Sequence, residues 1–218
     1  IISTKIEHKA VLDPLSEITK QGFNVTLIAP NDDGSIDTDK ITSSITNQTF
    51  LVSCMHANNE TGAINAINEI ALSVKSINAD IYFHADCAQT FGKTNLVMND
   101  KNIDLLSFSA HKFHGPKGIG GLLMRKRNDM SLPIKPLMYG GGQERGVRPG
   151  THPVALIAGM AKSLEISIKN QDQWNAKCIE IKSAAINSFK DIDYKIYGTT
   201  DERTLPNTLS IAFSDLDA

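Results

Sequence analysis

The sequence predicts an α/β fold, a three-layer sandwich on a mostly parallel mixed sheet, and three observations predict it. Short apolar runs alternate with helical patterns from one end of the chain to the other. The runs are short, largely apolar and bounded by turn residues, as strands covered on both faces are. Turn-forming residues separate them, and alternating strands and helices bury their apolar surfaces best as a parallel sheet with helices packed on it.

Taken in order, the chain opens on IIST, which reads as an apolar strand already under way, and it begins without Met. Both features lead us to expect a piece of a longer chain. Residues 13–20 read as a helix stopped at Gly22, and residues 23–29 (FNVTLIA) as the next strand. A second helix over 37–44 starts at Asp37, a good N-cap type, and a strand follows over 50–55 (FLVSCM). Apolar residues at helical spacing mark 65–77; 81–86 (IYFHAD) and 103–110 (IDLLSFSA) are two more strands. Residues 118–124 (GIGGLLM) make another, entered through glycines. The tract 131–153, SLPIKPLMYGGGQERGVRPGTHP, has no period, and long irregular connections inside compact domains are usually functional. From Val154 to about residue 190 the pattern is helical, with a break expected near Asn170. YKIYG and NTLSIAFSDLD then read as strands of a small α+β region. The expected organisation is a large domain over 1–152, connecting helices over 153–190, and the start of a small C-terminal domain over 191–218.

With 41% apolar and 21% charged residues in 218, the chain can bury a continuous core. A net charge of −2 offers no positive footprint for a phosphate backbone, so no nucleic-acid partner is expected. No apolar run approaches a membrane span and no signal peptide is recognisable, which leads us to expect no membrane partner and a cytoplasmic or organelle-matrix protein. Cys54, Cys87 and Cys178 show no CxxC spacing and read as buried thiols in a reducing compartment.

Chemistry gathers at the carboxyl ends of the strands, where ligands bind in open parallel sheets. Asn58, Asn59 and Glu60 follow one strand, Asp86 and Gln89 another, and Ser109, His111 and Lys112 a third. Each has an ordinary reading: Asp86 as a helix cap, Lys112 as a surface lysine with its stem on apolar neighbours. His84 and Asp86 share a strand face and, with His111, allow a metal-dependent hydrolase as a weaker reading. His111 and His114, three apart on an expected loop, lack the spacing of a helical metal pair. No GxSxG, GxxxxGK[ST] or GxGxxG occurs. A lysine that must react at neutral pH, a distant acid and anion-holding groups remain. Pyridoxal phosphate needs these parts: an amine for its aldehyde, a carboxylate to keep its ring nitrogen protonated, and donors for its phosphate. The glycines around Lys112 would then let backbone approach a rigid ligand.

EHKAVLD, MHANNETG, HADCAQTFGK, SFSAHKFHGPKGIGG and GGGQERGVRPGT, in this order, resemble the cysteine desulfurases of the class-V aminotransferase group, which are pyridoxal-phosphate enzymes of fold type I. The likeness covers nearly the whole chain. PLMYGGGQERGVRPGT with HKFHGPKG is more similar to the desulfurases of DNA phosphorothioation than to the iron–sulfur type, and selenocysteine lyases share related segments. The resemblance implies that Lys112 carries the cofactor and moves the substrate proton, and that Asp86 pairs with the ring nitrogen. It implies that Gln89 and Asn59 bind the ring hydroxyl, and that His8 stacks on the ring and assists as acid or base. Ser109 and His111 would hold the phosphate. Thr151 would reach the phosphate of a partner subunit, making a homodimer. The implied reaction takes L-cysteine to L-alanine and passes sulfur through an enzyme persulfide to an acceptor protein. In the family the attacking cysteine and a carboxylate-binding arginine lie in the C-terminal part, and a phosphate-binding threonine near the N-terminus; this sequence holds none of the three. The expectation is a cofactor-binding core incomplete for turnover alone, with an inactive dimerisation module as the alternative.

Overall fold

The computed structural model describes residues 1–94, 101–127 and 130–214. Among them, six short strands form one sheet: β1 (Ile2–Thr4), β2 (Thr26–Ile28), β3 (Leu51–Met55), β4 (Tyr82–Asp86), β5 (Leu105–Ser109) and β6 (Gly120–Met124). Their spatial order is β2-β1-β3-β4-β5-β6, parallel throughout except for the antiparallel pair β5–β6. The mixed, mostly parallel sheet is the one expected, and the apolar opening of the chain is strand β1, inserted between β2 and β3.

Apolar strand residues demand cover, and the crossovers supply it. Helices α1 (Lys9–Lys20), α2 (Thr38–Ser43) and α3 (Ile67–Ile77) lie between the parallel strands. Val52 and Cys54 of β3, Phe83 and Ala85 of β4, and Leu106 of β5 share a core with Ile67, Ile70, Ala71 and Val74 of α3. These positions alternate along each strand, so they occupy one face. The other face carries Ser53, His84, Asp86 and Ser107 toward the carboxyl ends, an uneven sharing of polarity that a fully apolar reading of the strands understates.

Several boundaries differ from the sequence reading. Helix α1 starts at Lys9, four residues before the expected Asp13, because His8 caps it: its Nδ1 accepts from the Ala10 N–H at 3.1 Å. The Asp-Pro pair imitates a helix start, yet Pro14 is carried inside the helix. Strand β2 keeps only three of the seven expected residues, as it sits at the sheet edge with β1 as its partner. Helix α4 (Val154–Ser188) runs unbroken for 35 residues. Asn170 does not interrupt it: its side-chain amide donates to the Ile166 carbonyl one turn back, at 2.8 Å. No described helix is long and apolar enough to cross a membrane.

After α4 comes a two-stranded antiparallel sheet of β7 (Tyr194–Tyr197) and β8 (Ser210–Phe213). The connection between them docks on the loop after β3. Leu205 N–H donates to the Gly62 carbonyl at 2.8 Å, Ile64 N–H to the Arg203 carbonyl at 2.8 Å, and Lys182 of α4 to the Leu205 carbonyl at 2.7 Å. Gly62 has φ 75°, and a Cβ there would lie 2.7 Å from Cβ of Thr208, so glycine is required on both counts.

Candidate functional site

Neighbouring parallel strands deliver their carboxyl ends to one rim, and β3, β4 and β5 are neighbours. At that rim lies a cavity of about 470 Å³, within the range of small-molecule sites. Asn59 enters from the loop after β3, Asp86 and Gln89 from the end of β4, and Ser109, His111 and Lys112 from the end of β5 and the turn beyond it; His8 enters from the head of α1. Seven of the eight sequence-selected site residues thus share one cavity. The eighth, Thr151, is exposed in the irregular tract before α4 and is not among the cavity's lining.

The turn that presents Lys112 is a 3-10 segment, Ala110–Phe113, closed by His114 in the left-handed region (φ 65°). Phe113 is fully buried and packs with Phe91 and Phe108, while Ser167 of α4 donates to the Phe113 carbonyl at 3.1 Å. Lys112 is half-buried beside this anchor. The glycine after the turn has a packing reason of its own: a Cβ on Gly115 would lie 2.6 Å from Ser163 Oγ and 2.9 Å from the Ala110 carbonyl. His114, outside the cavity, stands edge-on to Trp174.

Asp86 is 8% exposed, and its Oδ1 accepts from the Ala88 N–H at 2.9 Å. The carboxylate thus closes the turn after β4, where the sequence reading expected a helix to be capped, and it also faces the cavity. His84, two residues earlier on the same face, is held from both sides: Nδ1 is 2.8 Å from Ser53 Oγ and Nε2 3.1 Å from Ser107 Oγ. Burial lowers its pKa, with Asp86 opposing, so the ring is neutral near pH 7. Among the described residues no group of three or more His, Cys, Asp or Glu is placed to hold a metal ion.

Two residues escaped the sequence reading. Ser107 lines the cavity, and the period-2 rule could have found it, since it lies two before Ser109 on the same strand. Glu7 is buried behind the site; its Oε1 accepts from the Thr4 hydroxyl and the Met55 N–H, both at 2.8 Å. Burial pushes its pKa up to about 7, those two hydrogen bonds pull it down, and Asp86 adds to the rise. The thiols offer no nucleophile here. Burial raises Cys54 well above the ordinary thiol range and Cys87 to about 12, and none of Cys54, Cys87 and Cys178 lines the cavity.

A second cavity of about 440 Å³ lies at the opposite ends of these strands, beside Ile103, Asp104 and Met124. Its acid, Asp104, is already bound by Lys75 and Arg127, so it presents no comparable set of reactive groups.

Residues 1–218 match the family described as aminotransferase class-V. Among curated proteins, the chain is 40% identical over 220 aligned positions to cysteine desulfurase IscS of Clostridium botulinum (strain Kyoto / Type A2), covering 100% of this chain and 54% of that protein. Among solved structures, DndA from Streptomyces lividans matches with a TM-score of 0.91 and 37% identity, over 100% of this chain and 60% of that one. SspA in complex with cysteine matches with a TM-score of 0.81 and 35% identity, over 98% and 58%. The chain spans about half the length of the curated relatives it matches.

Proposed function

The chain belongs to the aminotransferase class-V family, and we propose that it forms the cofactor-binding part of a pyridoxal-phosphate-dependent cysteine desulfurase. The observation that carries this reading is the convergence of Lys112, Asp86, Asn59, Gln89 and His8, from four separate segments, on one cavity. The donor set fits the cofactor: an amine, a buried carboxylate, two amides, and a hydroxyl and imidazole for a phosphate. When bound, pyridoxal phosphate supplies an aldehyde for an amine and an electron-poor ring that spreads the charge left by a departing Cα proton.

Lys112 would hold the cofactor through its amine and would take the proton from Cα of L-cysteine. Asp86 keeps the ring nitrogen protonated. Gln89 and Asn59 bind the ring hydroxyl, His8 covers the ring face and assists in proton transfer, and Ser109 and His111 bind the phosphate. An enzyme thiolate then attacks the cysteine sulfur; the carbon–sulfur electron pair stays with the substrate carbon, which is protonated to give alanine. The enzyme thiol now carries that sulfur as a persulfide, whose outer sulfur passes to an acceptor protein. None of Cys54, Cys87 and Cys178 lines the cavity, so that thiol is to be sought elsewhere in the protein. Thr151, exposed outside the cavity, supplies its hydroxyl to the phosphate of a second copy in a homodimer. Relatives at similar identity carry the names IscS and DndA, so the likeness supports the sulfur-releasing step more than any one acceptor.

The test uses the full-length protein. Borohydride reduction should fix the cofactor to the peptide containing Lys112. Lys112→Ala should lower alanine release from cysteine by about a thousandfold or more. Near-normal release from that variant would overturn the assignment.

A further inference from the structure

His84 lines the cavity, yet the proposed chemistry gives it no task. It stands two residues before Asp86 on β4, on the same face, where an imidazole and a carboxylate are within reach of each other. Left free to turn, the ring has an obvious partner in Asp86. It is not free. Ser53 of β3 engages Nδ1 at 2.8 Å and Ser107 of β5 engages Nε2 at 3.1 Å, one serine from the strand on each side. In a neutral imidazole one nitrogen donates and the other accepts, and a hydroxyl can take either part, so the chain is satisfied without a charge. Asp86 spends Oδ1 on the Ala88 N–H, and neither nitrogen of His84 is aimed at it.

We propose that His84 is a positioning residue: tied sideways to Ser53 and Ser107, its ring is kept from pairing with Asp86, which leaves that carboxylate to the ring nitrogen of the cofactor. The inference rests on the pyridoxal-phosphate reading of the cavity. It makes Ser53, which does not line the cavity, a determinant of cofactor binding. If the ring is released, it rotates toward Asp86, becomes protonated more readily beside the carboxylate, and competes with the cofactor as counter-ion. The competition grows as pH falls. The other titratable or charged groups about His84 are Tyr82, with Arg127 over its ring, and Asp86 on the same face of its own strand, Glu7 behind the site, His8 at the head of α1, and His111 and Lys112 after β5. From β3, Cys54 lies on the opposite face, and β5 contributes no titratable side chain.

The experiment titrates pyridoxal phosphate into the full-length apoprotein at pH about 8 and about 5.5, reading absorbance, for the parent, Ser53→Ala, Ser53→Thr and Ser53→Ala with His84→Leu. Relative to the parent at the same pH, Ser53→Ala should bind about tenfold more weakly at the lower pH and within about twofold at the higher, since one pKa unit is a tenfold effect. Ser53→Thr should restore binding, and adding His84→Leu should abolish the acid-side loss, because no imidazole remains to capture Asp86. Ser107→Ala unties the other nitrogen and should reproduce the loss; it serves if Ser53→Ala does not fold. An equal loss at both pH values, or an acid-side loss that persists with His84→Leu, overturns the proposal. Should the parent fail to bind the cofactor at Lys112, the reading of the cavity falls and this proposal with it. Intact parent binding with a flat Ser53→Ala profile sinks this proposal alone.

Discussion

Glu7 holds a carboxyl where water does not reach: it is 4% exposed, and its Oε2 has no hydrogen-bond partner. With burial raising its pKa from 4.5 to about 7, the folded protein keeps a proton that the unfolded chain gives up. The native state binds more protons across that window, so stability is fullest below about pH 4.5 and falls as pH rises toward 7. The loss is on the order of 3 kcal/mol once complete. Glu7→Gln removes it: urea unfolding at pH about 5 and about 8 should show the variant gaining on the parent by roughly that amount at the higher pH. A difference between variant and parent that does not change with pH would refute the assignment. A neutral Glu7 also spares Asp86 a second negative charge nearby. Chemistry of this kind is poorly legible in sequence. Lys112, Asp86, Gln89 and Asn59 could be selected as strand-end groups, but a glutamate beside His8 reads as an ordinary surface acid until its burial is known.

The strand ends opposite the cavity are held by Asp104, just before β5. Its carboxylate, 1% exposed, accepts from Lys75 Nζ at 2.6 Å, from Arg127 Nε at 2.6 Å and Nη2 at 2.8 Å, and from the Phe83 N–H at 2.7 Å. These bonds join the end of α3, the start of β4 and the residues after β6 in one polar clamp. Asp104→Ala leaves the two cations with their counter-charge removed and should cost about 3–5 kcal/mol, read from the urea midpoint. Cofactor affinity should hold, because the clamp lies at the far ends of the strands; a tenfold loss of affinity would contradict that separation. The loop after β3 is the opposite case. Gly62→Ala places a side chain at φ 75° against Thr208, with an expected cost of about 1–3 kcal/mol. Asn59 belongs to the same loop, so weaker cofactor binding should accompany the instability; full affinity in a destabilised variant would show the loop tolerates the shift. Among the elements, the unbroken α4 and the shortened β2 show where local pattern failed. Asn170 finds its partner within the helix, and an edge strand extends only as far as its neighbour.

For the molecule as a whole, residues 131–153 and α4 carry exposed apolar side chains: Leu137 at 97%, Tyr139 at 85% and Val154 at 71%. Thr151 lies in this stretch, and the homodimer reading assigns its hydroxyl to the other copy's cofactor phosphate. Thr151→Val keeps the shape and removes the hydroxyl. In the full-length protein it should leave the dimer intact by sedimentation while lowering cofactor affinity about tenfold or more, the worth of a hydrogen bond to a charged group. Unchanged affinity would mean that this hydroxyl contributes nothing there. The docking of the β7–β8 connection on Gly62, Ala63 and Ile64 links the second sheet to the loop that bears Asn59.

By itself the sequence determined the class of fold and the strand ends that carry the polar groups, and it singled out Lys112 and Asp86 as the candidate amine and acid. Apolar periodicity and residue chemistry are local properties, readable one segment at a time. Only the tertiary structure decided that β3, β4 and β5 are adjacent, and hence that Asn59, Asp86 and Lys112 share a cavity. It alone decided that His84 is tied between two serines, that Glu7 is buried, and that Gly115 makes room for α4. The reason is physical: strand order, burial and close approach depend on which distant segments come together, and the cost of a buried charge or a missing hydrogen bond is set by those neighbours.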